Sequence, residues 1–400
     1  MRSWRPGNYP YCGVVLTNFT FLDVKPGRIH FPPKHVYMAA ESVQVRGCEL
    51  LPPGVTEPRT FKQALAAPDS VEWLEAVHHE LHSLVRVKGA LEMIKEEDTP
   101  VGVNFLNMTL ILKAKLDKSL QPDRRKARIC VQGNKQIFGV NHFDTFAPYT
   151  QLSSVRLVLT LLTLNLGLVV YHMDVETAFL NSLLDEELYL RLPSCLEFDG
   201  CRHAKLKKAV YGPKQSGKAW FETSDSFIMG DDSRMKKSDV EPCLYYLRGD
   251  RLTVFIQSYV DDYVVACNSW QWYHDIVEAV NASYPCKDLG VLDLVMGIGV
   301  RWGVGTAYLS QQGYIASMVA AYGLEDARPA FLPMTPGTVL LPADGKNTCI
   351  PYRLLLGKLK CIARCSFPDT MAVVSVLSMY VLHHRRAGAL QGAQASAQVP

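Results

Sequence analysis

The stretch from Gln257 to Val265 constrains this chain more than any other. Leu252, Val254 and Ile256 alternate with polar residues on the way in, and Tyr263 to Cys267 is a continuous apolar run on the way out. Alternation at period two, then a short apolar run, predicts two strands meeting at a tight turn with Asp261 and Asp262 at its tip. Adjacent carboxylates on a rigid hairpin repel, so they call for a positive partner. A hard divalent cation with oxygen ligands suits them. Aspartate is also a common turn residue because its side chain bonds its own backbone, so the pair alone leaves plain turn chemistry open. A second stretch, His172 to Asn181, follows the apolar run Leu164 to Tyr171 and brings Asp174 to the end of another predicted strand. If that strand lies beside the hairpin, three carboxylates converge, enough to hold two metal ions for phosphoryl chemistry.

Tyr259-Val260-Asp261-Asp262, with Met173-Asp174-Val175 and Thr177-Ala178-Phe179-Leu180-Asn181 upstream, resembles the reverse transcriptase of copia-type LTR retrotransposons. Further segments agree in order. Lys126-Ala127-Arg128 with Gly133, and Phe143-Asp144-Thr145-Phe146-Ala147-Pro148, resemble the family's fingers segment. Tyr211-Gly212, Lys214-Gln215-Ser216 and Ala219-Trp220 resemble its Tyr-Gly-Leu-Lys-Gln-Ser motif. Lys287-Asp288-Leu289-Gly290 with Gly297-Ile298 resembles the segment after the catalytic hairpin. Tyr352, Leu356-Gly357, Leu359, Pro368-Asp369 and Ala372-Val373 resemble the C-terminal connection. Each is weak alone; in this order, over roughly residues 57 to 384, they are specific.

The resemblance implies an α+β right-hand polymerase fold: fingers at about 100–165, a ferredoxin-like palm at about 166–300, and a thumb with a partial connection at about 301–384. An irregular extension, 1–56, precedes it and a disordered tail, 385–400, follows. It implies an RNA-directed DNA polymerase that transfers a nucleotidyl group from a dNTP to a primer 3′-hydroxyl. Asp174 and Asp261 would chelate two Mg²⁺ ions (Mn²⁺ as a substitute), with Asp262 assisting or positioning the hairpin and the Val175 carbonyl as a further metal ligand. Lys126 and Arg128 would reach the incoming triphosphate, since an arginine fork matches phosphate oxygens. Phe179 would stand under the sugar and clash with a 2′-hydroxyl. Gln215 would lie near the template base, and Tyr259 belongs to the same substrate-binding set. The implied partners are an RNA template, a DNA primer, dNTPs and other products of a retrotransposon polyprotein, in the cytoplasm. Plain alternatives stand beside these roles: core packing for Phe179, a solvated strand face for Lys126 and Arg128, a surface position for Gln215.

Some positions depart from the family. Pro213 stands where it has leucine and Gly217 where it usually has proline. Cys286 replaces an apolar residue, and Asp293-Leu294-Val295-Met296 replaces a more aromatic segment. No ribonuclease H, protease or integrase segment is recognisable, so the expectation is a piece of a polyprotein, a decayed copy or a predicted gene product. An inactive relic or a co-opted nucleic-acid-binding protein of the same fold is therefore the rival reading. A palm-based nucleotidyl transferase or cyclase would not need the fingers, template-side or connection motifs.

Bulk charge does not argue for nucleic acid, because the net charge is +3. Basic residues are nevertheless dense from Lys113 to Lys135 and again from Arg202 to Lys218, on either side of the first carboxylate, which favours phosphate contacts. The 11 cysteines show neither zinc-ligand nor disulfide spacing, so reduced thiols are expected. The N-terminus lacks an apolar signal core, and the most apolar run, Val155 to Tyr171, is broken by Arg156 and Asn165, so no membrane span is expected.

Local patterns predict a helix over Thr60–Lys88 capped at Ser70, a strand over Phe105–Leu116, a turn at Ser119–Asp123 and a returning strand from Lys126 to Gln132. They predict helices at Val155–Leu164, capped by Ser153-Ser154 and stopped by Gly167, at Trp270–Tyr284, Tyr314–Tyr322, Leu354–Arg364 and Met371–Leu382. A helix or turn begins between Tyr211 and Trp220. Strands over Leu292–Tyr308 are expected to be weakened by Gly297, Gly299, Gly303 and Gly305.

Overall fold

The computed structural model describes residues 13–17, 57–116, 122–163, 167–230, 234–303, 305–324, 326–327, 332–334, 338 and 352–379. The chain divides into two compact units, one spanning 51–292 and the other combining 1–50 with 293–400. The second unit contributes the first strand, β1 (Gly13–Thr17), so the expected irregular extension contains an ordered element. The predicted turn at Ser119–Asp123 lies largely outside the described residues, and the predicted tail lies wholly outside them.

The larger unit opens with two helices, α1 (Phe61–Leu65) and α2 (Ser70–His82), in place of the single predicted one. Pro68 explains the break: it has no N–H to donate and disfavours helix in the residue before it. Thr60 caps α1 by accepting the Gln63 N–H at 3.2 Å. Ser70 lies inside α2, and Asp69 at the cap position makes no capping bond with its side chain. The Asp69 carboxylate instead holds Arg125. Trp73, Val77 and Leu81 face the core at helical spacing, whereas Val71 is 66% exposed on the opposite side.

Next come β2 (Leu91–Ile94), β3 (Phe105–Leu116) and β4 (Pro122–Val131). The helix α3 (Leu152–Thr163) precedes β5 (Val169–Val175), β6 (Leu183–Arg191) and β7 (His203–Lys208). A five-stranded sheet is ordered β2-β7-β6-β3-β4; its β3 and β4 fall in the range expected for the fingers, whereas β6 and β7 fall in the range expected for the palm. One continuous apolar core joins it to α2, with Trp73, Leu106, Ile129, Leu188 and Leu190 all inaccessible to solvent.

The chain continues through α4 (Ser216–Ile228), β8 (Lys236–Lys237), β9 (Leu244–Arg248), β10 (Thr253–Tyr259), β11 (Asp262–Cys267), α5 (Trp270–Ser283) and β12 (Cys286–Val291). These strands and β5 make a six-stranded antiparallel sheet ordered β12-β5-β11-β10-β9-β8. Counting β5, β10, β11 and β12 as one to four, the order is four-one-three-two, with α4 between the first pair and α5 between the last. That is the ferredoxin-like split β-α-β pattern expected of the palm. Alternation decides its two faces. Met173, Val175, Val254, Ile256, Tyr263 and Val265 form one core with Trp220 and Ile228 of α4 and Tyr273 and Val280 of α5. Asp174 and Asp262 therefore fall on the other face.

In the second unit β13 (Leu294–Val295), β14 (Ile298–Gly303) and β15 (Thr306–Ser310) complete a sheet ordered β1-β15-β14-β13. The glycines do not weaken it throughout. Met296 and Gly297, at φ 51° and 75°, form the two-residue turn that joins β13 to β14. Among the described residues three helices follow, α6 (Gln312–Ala321), α7 (Tyr352–Cys365) and α8 (Met371–Met379). Leu356 and Ala363 of α7 pack on Val374 of α8. No helix among the described residues is long and apolar enough to cross a membrane.

Candidate active site

The register of β10 on β11 pairs Tyr259 with Asp262, which leaves Val260 and Asp261 as the loop. Val260 sits at φ 55°, a strained region for a β-branched residue. Two bonds hold it there. The Trp220 indole N–H donates to the Val260 carbonyl at 2.6 Å. The Val175 N–H donates to the Asp261 carbonyl at 2.7 Å. The turn is thus stapled to α4 on one side and to β5 on the other.

β11 pairs with β5 so that Asp262 lies directly opposite Asp174. Asp261 is fixed beside them through its bond to the residue after Asp174. The backbone register therefore brings Asp174, Asp261 and Asp262 to the same end of the hairpin. Like charges opposite one another destabilise a sheet, and a neighbour offsets part of that cost. His172, two residues before Asp174 and so on the same face, places Nε2 2.8 Å from Asp262 Oδ1. Sequence reasoning missed His172, although its period-two spacing from Asp174 is a usable signal. Lys287 stands opposite Asp174 on β12 but directs its ammonium to Glu176 at 2.6 Å, which holds that carboxyl below the usual range. Burial, reinforced by the charge of Asp174, pushes the Cys286 thiol up to about 11.

A second group forms beside the carboxylates. The Arg128 guanidinium lies 4.9 Å over the Tyr211 ring. Tyr211 meets Phe179 edge to face at 5.2 Å. Burial raises the Tyr211 phenol, with Arg128 opposing the shift and Asp261 adding to it. Tyr211 therefore joins two of the expected substrate residues, Arg128 and Phe179, and lies near Asp261. It is pinned in turn, because the Val131 N–H at the end of β4 donates to the Tyr211 carbonyl at 2.9 Å. Gly212 makes that approach possible: at φ 116° an added Cβ would fall 2.0 Å from the Val131 carbonyl oxygen. Phe179 is positioned by a 3₁₀ turn, Ala178–Asn181, directly after β5.

Lys126 lies along the same strand face as Arg128. Burial lowers its ammonium pKa, and Arg128 and Arg124 lower it further. Tyr259 is half-buried, opposite Asp262. Gln215 differs most from expectation. It is 3% exposed rather than a surface residue. Its amide oxygen accepts from Gln136 Nε2 at 2.9 Å, and its nitrogen donates to the Asn141 carbonyl at 2.9 Å and to Glu186 at 3.2 Å. A side chain so fully engaged holds the loop behind Tyr211 together and is not available to a base. Gly217 meets no steric demand, since an added Cβ would only touch Ala147 at 3.8 Å.

Asp174 and Asp261 are all-oxygen donors, and that chemistry fits a hard divalent cation. Asp262 is already engaged with His172. Among the described residues no three His, Cys, Asp or Glu side chains form a closed metal-binding cluster.

A profile of the reverse transcriptase (RNA-dependent DNA polymerase) family matches residues 93–336, more than half of the chain. The chain belongs to this family. The expected copia-type membership is borne out by its relatives. The tobacco retrovirus-related Pol polyprotein from transposon TNT 1-94 is 28% identical over 340 residues, covering 81% of this chain and 25% of that protein. The Arabidopsis thaliana polyprotein from transposon RE1 is 27% identical over 330 residues, covering 82% and 22%. This reverse transcriptase chain thus spans about a quarter of the length of these curated relatives. A solved structure of the foamy viral protease-reverse transcriptase in complex with double-stranded DNA aligns at 12% identity and a TM-score of 0.42, over 80% of this chain and 47% of that one.

Proposed function

We propose that this chain synthesises DNA on an RNA template, transferring a nucleotidyl group from a dNTP to a primer 3′-hydroxyl. The observation that carries the reading is the register that sets Asp262 opposite Asp174 while the Val175 N–H binds the Asp261 carbonyl. Asp174 and Asp261, with the Val175 carbonyl, are the groups that would hold magnesium, as two ions, with manganese as a substitute. Bound there, such ions neutralise triphosphate charge and lower the pKa of the primer hydroxyl. The chain's own residues bind and orient. Asp262, tied to His172, keeps the hairpin tip against β5. Arg128 offers a fork to the triphosphate from its place over Tyr211, and Lys126 adds positive potential. Phe179 walls the sugar and disfavours a 2′-hydroxyl. The partners are an RNA template, a DNA primer and other products of the same polyprotein, and the site of action is the cytoplasm.

The test is dTTP incorporation on poly(rA)/oligo(dT) with Mg²⁺, beside an Asp261→Asn/Asp262→Asn control. Incorporation that disappears in the control supports the proposal; none from well-folded protein rejects it. A second reading keeps the fold and the nucleic acid but not the chemistry. It is favoured by the departures from the family motifs, Pro213 in place of leucine and Gly217 in place of proline.

A further inference from the structure

The second unit carries a pair of cysteines that nucleotidyl transfer does not use. Cys361 and Cys365 stand four residues apart in α7, so both lie on one side of the helix. Both are thiols, Cys361 exposed and Cys365 half-buried. Gln311, which joins β15 to α6, is 3% exposed. Its Nε2 donates to the Cys361 sulfur at 3.8 Å. The amide holds that orientation because the Ser366 hydroxyl, buried just past the end of α7, donates to Gln311 Oε1 at 2.9 Å. The Cys365 thiol makes a second hydrogen bond with Cys361, and Arg364 adds a positive charge.

Donors and a cation around a sulfur favour its anion over the thiol. The bond from Cys365 contributes most, and together these groups bring the Cys361 thiol down to about 6 although partial desolvation opposes them. Among the described cysteines, burial pushes the thiols of Cys130, Cys195, Cys243, Cys267 and Cys286 the other way. Those sulfurs are poor nucleophiles near neutral pH. An anionic sulfur open to solvent, with a second thiol in hydrogen-bond contact, is the arrangement in which one sulfur attacks and the other follows.

We propose that Cys361 and Cys365 form a site oxidised by hydroperoxides, with Cys361 as the sulfur that reacts first and Cys365 as the one that resolves it. The Cys361 thiolate attacks the nearer oxygen of the hydroperoxide. An S–O bond forms as the O–O bond breaks, and Cys361 becomes a sulfenic acid. The leaving alkoxide takes up the proton that Cys361 had released to solvent. The Cys365 sulfur then attacks the oxidised sulfur. An S–S bond forms as the S–O bond breaks, and hydroxide leaves with the Cys365 proton as water. Two electrons pass from the thiols to the peroxide, which ends as alcohol and water. The position in the helix suits the second step. Residues four apart in a helix have Cα atoms about 6.2 Å apart, inside the disulfide range. Their Cβ atoms are about 1–2 Å too far apart, so the helix must give locally. Cys365 is the last residue of α7, and a terminal turn opens at small cost. The site lies within the second unit and does not rest on the polymerase reading.

The test treats the full chain with hydrogen peroxide, alkylates the thiols that are left and maps them by mass spectrometry after trypsin. Cleavage at Lys360 and Arg364 puts Cys361 and Cys365 in separate peptides, so their disulfide is read as two peptides joined. The expected product is that joined pair, lost on reduction. Cys365→Ser should stop at the sulfenic acid, trapped on Cys361 by dimedone, and Cys361→Ser should give neither product. Without peroxide, iodoacetamide at neutral pH should label Cys361 about fivefold faster than Cys195, which is also exposed. The larger thiolate fraction there outweighs the lower nucleophilicity of a weaker base. Cys361 left reduced while Cys195 oxidises, or labelled no faster than Cys195, overturns the proposal. A disulfide that joins two chains instead of the two peptides of one overturns Cys365 as the resolving sulfur. The Asp261→Asn/Asp262→Asn chain should form the same joined pair, so a failed polymerase assay leaves this site standing.

Discussion

The carboxylates where β5 meets β11 and the amides of Gln136, Asn141 and Gln215 are both polar groups gathered from distant parts of the chain. They are built on opposite terms. The carboxylates are half-exposed, carry like charge and sit face to face, with His172 bound to one of them. The amides are buried, neutral and joined to one another by bonds of 2.9–3.1 Å. Crowded charge is a cost that a ligand can relieve, so it points to chemistry. A satisfied amide network has nothing left to offer a ligand, so it points to framework. Gln215, which lies in the most motif-rich loop, falls in the second class.

Breaking each member tests the contrast. Asp174→Asn and Asp261→Asn should each reduce primer extension by about a thousandfold or more, since a metal ligand contributes several kcal/mol to the transition state. Their unfolding curves should match the wild type, and full activity in either would remove the assignment. Gln215→Ala should show the opposite pattern. Leaving Gln136 Nε2 and the Asn141 carbonyl short of a partner should cost roughly 2–3 kcal/mol in urea unfolding. Lost nucleic-acid affinity at unchanged stability would instead restore Gln215 to the site.

Between these extremes stands Tyr211, structural on one face and adjacent to the chemistry on the other. Tyr211→Ala should raise the KM for dNTP about tenfold with a smaller change in kcat, because Arg128 loses the ring beneath it. Tyr211→Phe keeps that ring and should stay near the wild type. The smallest effect is expected at His172. His172→Gln retains a donor toward Asp262, whereas His172→Val should raise the Mg²⁺ concentration for half-maximal incorporation by about threefold. Identical Mg²⁺ curves for the two variants would show that the bond to Asp262 does not position it.

Much of the palm is legible along the chain. Alternation into Ile256 and the apolar run out of Tyr263 make the hairpin, and α5 begins at Trp270, where the pattern places it, capped by Ser269. The helix from Thr60 is split at Pro68, whereas the apolar spacing from Val71 to Leu84 runs on through α2 and the π-helical turn Ser83–Val87. Val71 matches the spacing yet faces solvent. Phe179 and Arg128 follow from the family resemblance; the ring that joins them, Tyr211, lies in the same motifs, but its contacts cross from fingers to palm. The glycines after Leu292 look like weak points in the sequence, although a positive φ at Gly297 is what the β13–β14 turn requires.

Strand periodicity, turn residues and the order of short motifs act over a few residues, so they can be read along the chain. They are enough to expect an α+β polymerase palm and to single out Asp174, Asp261 and Asp262 as its candidate centre. The pairing of Asp262 with Asp174, the reach of His172 to a partner 90 residues away and the burial of Gln215 cannot be read that way. Each depends on which strand lies beside which, and in what register. A slip of one residue would turn the carboxylates into the core and Met173 and Tyr263 toward solvent. Packing of the helix face of the palm excludes that slip, and it is a property of the folded sheet as a whole.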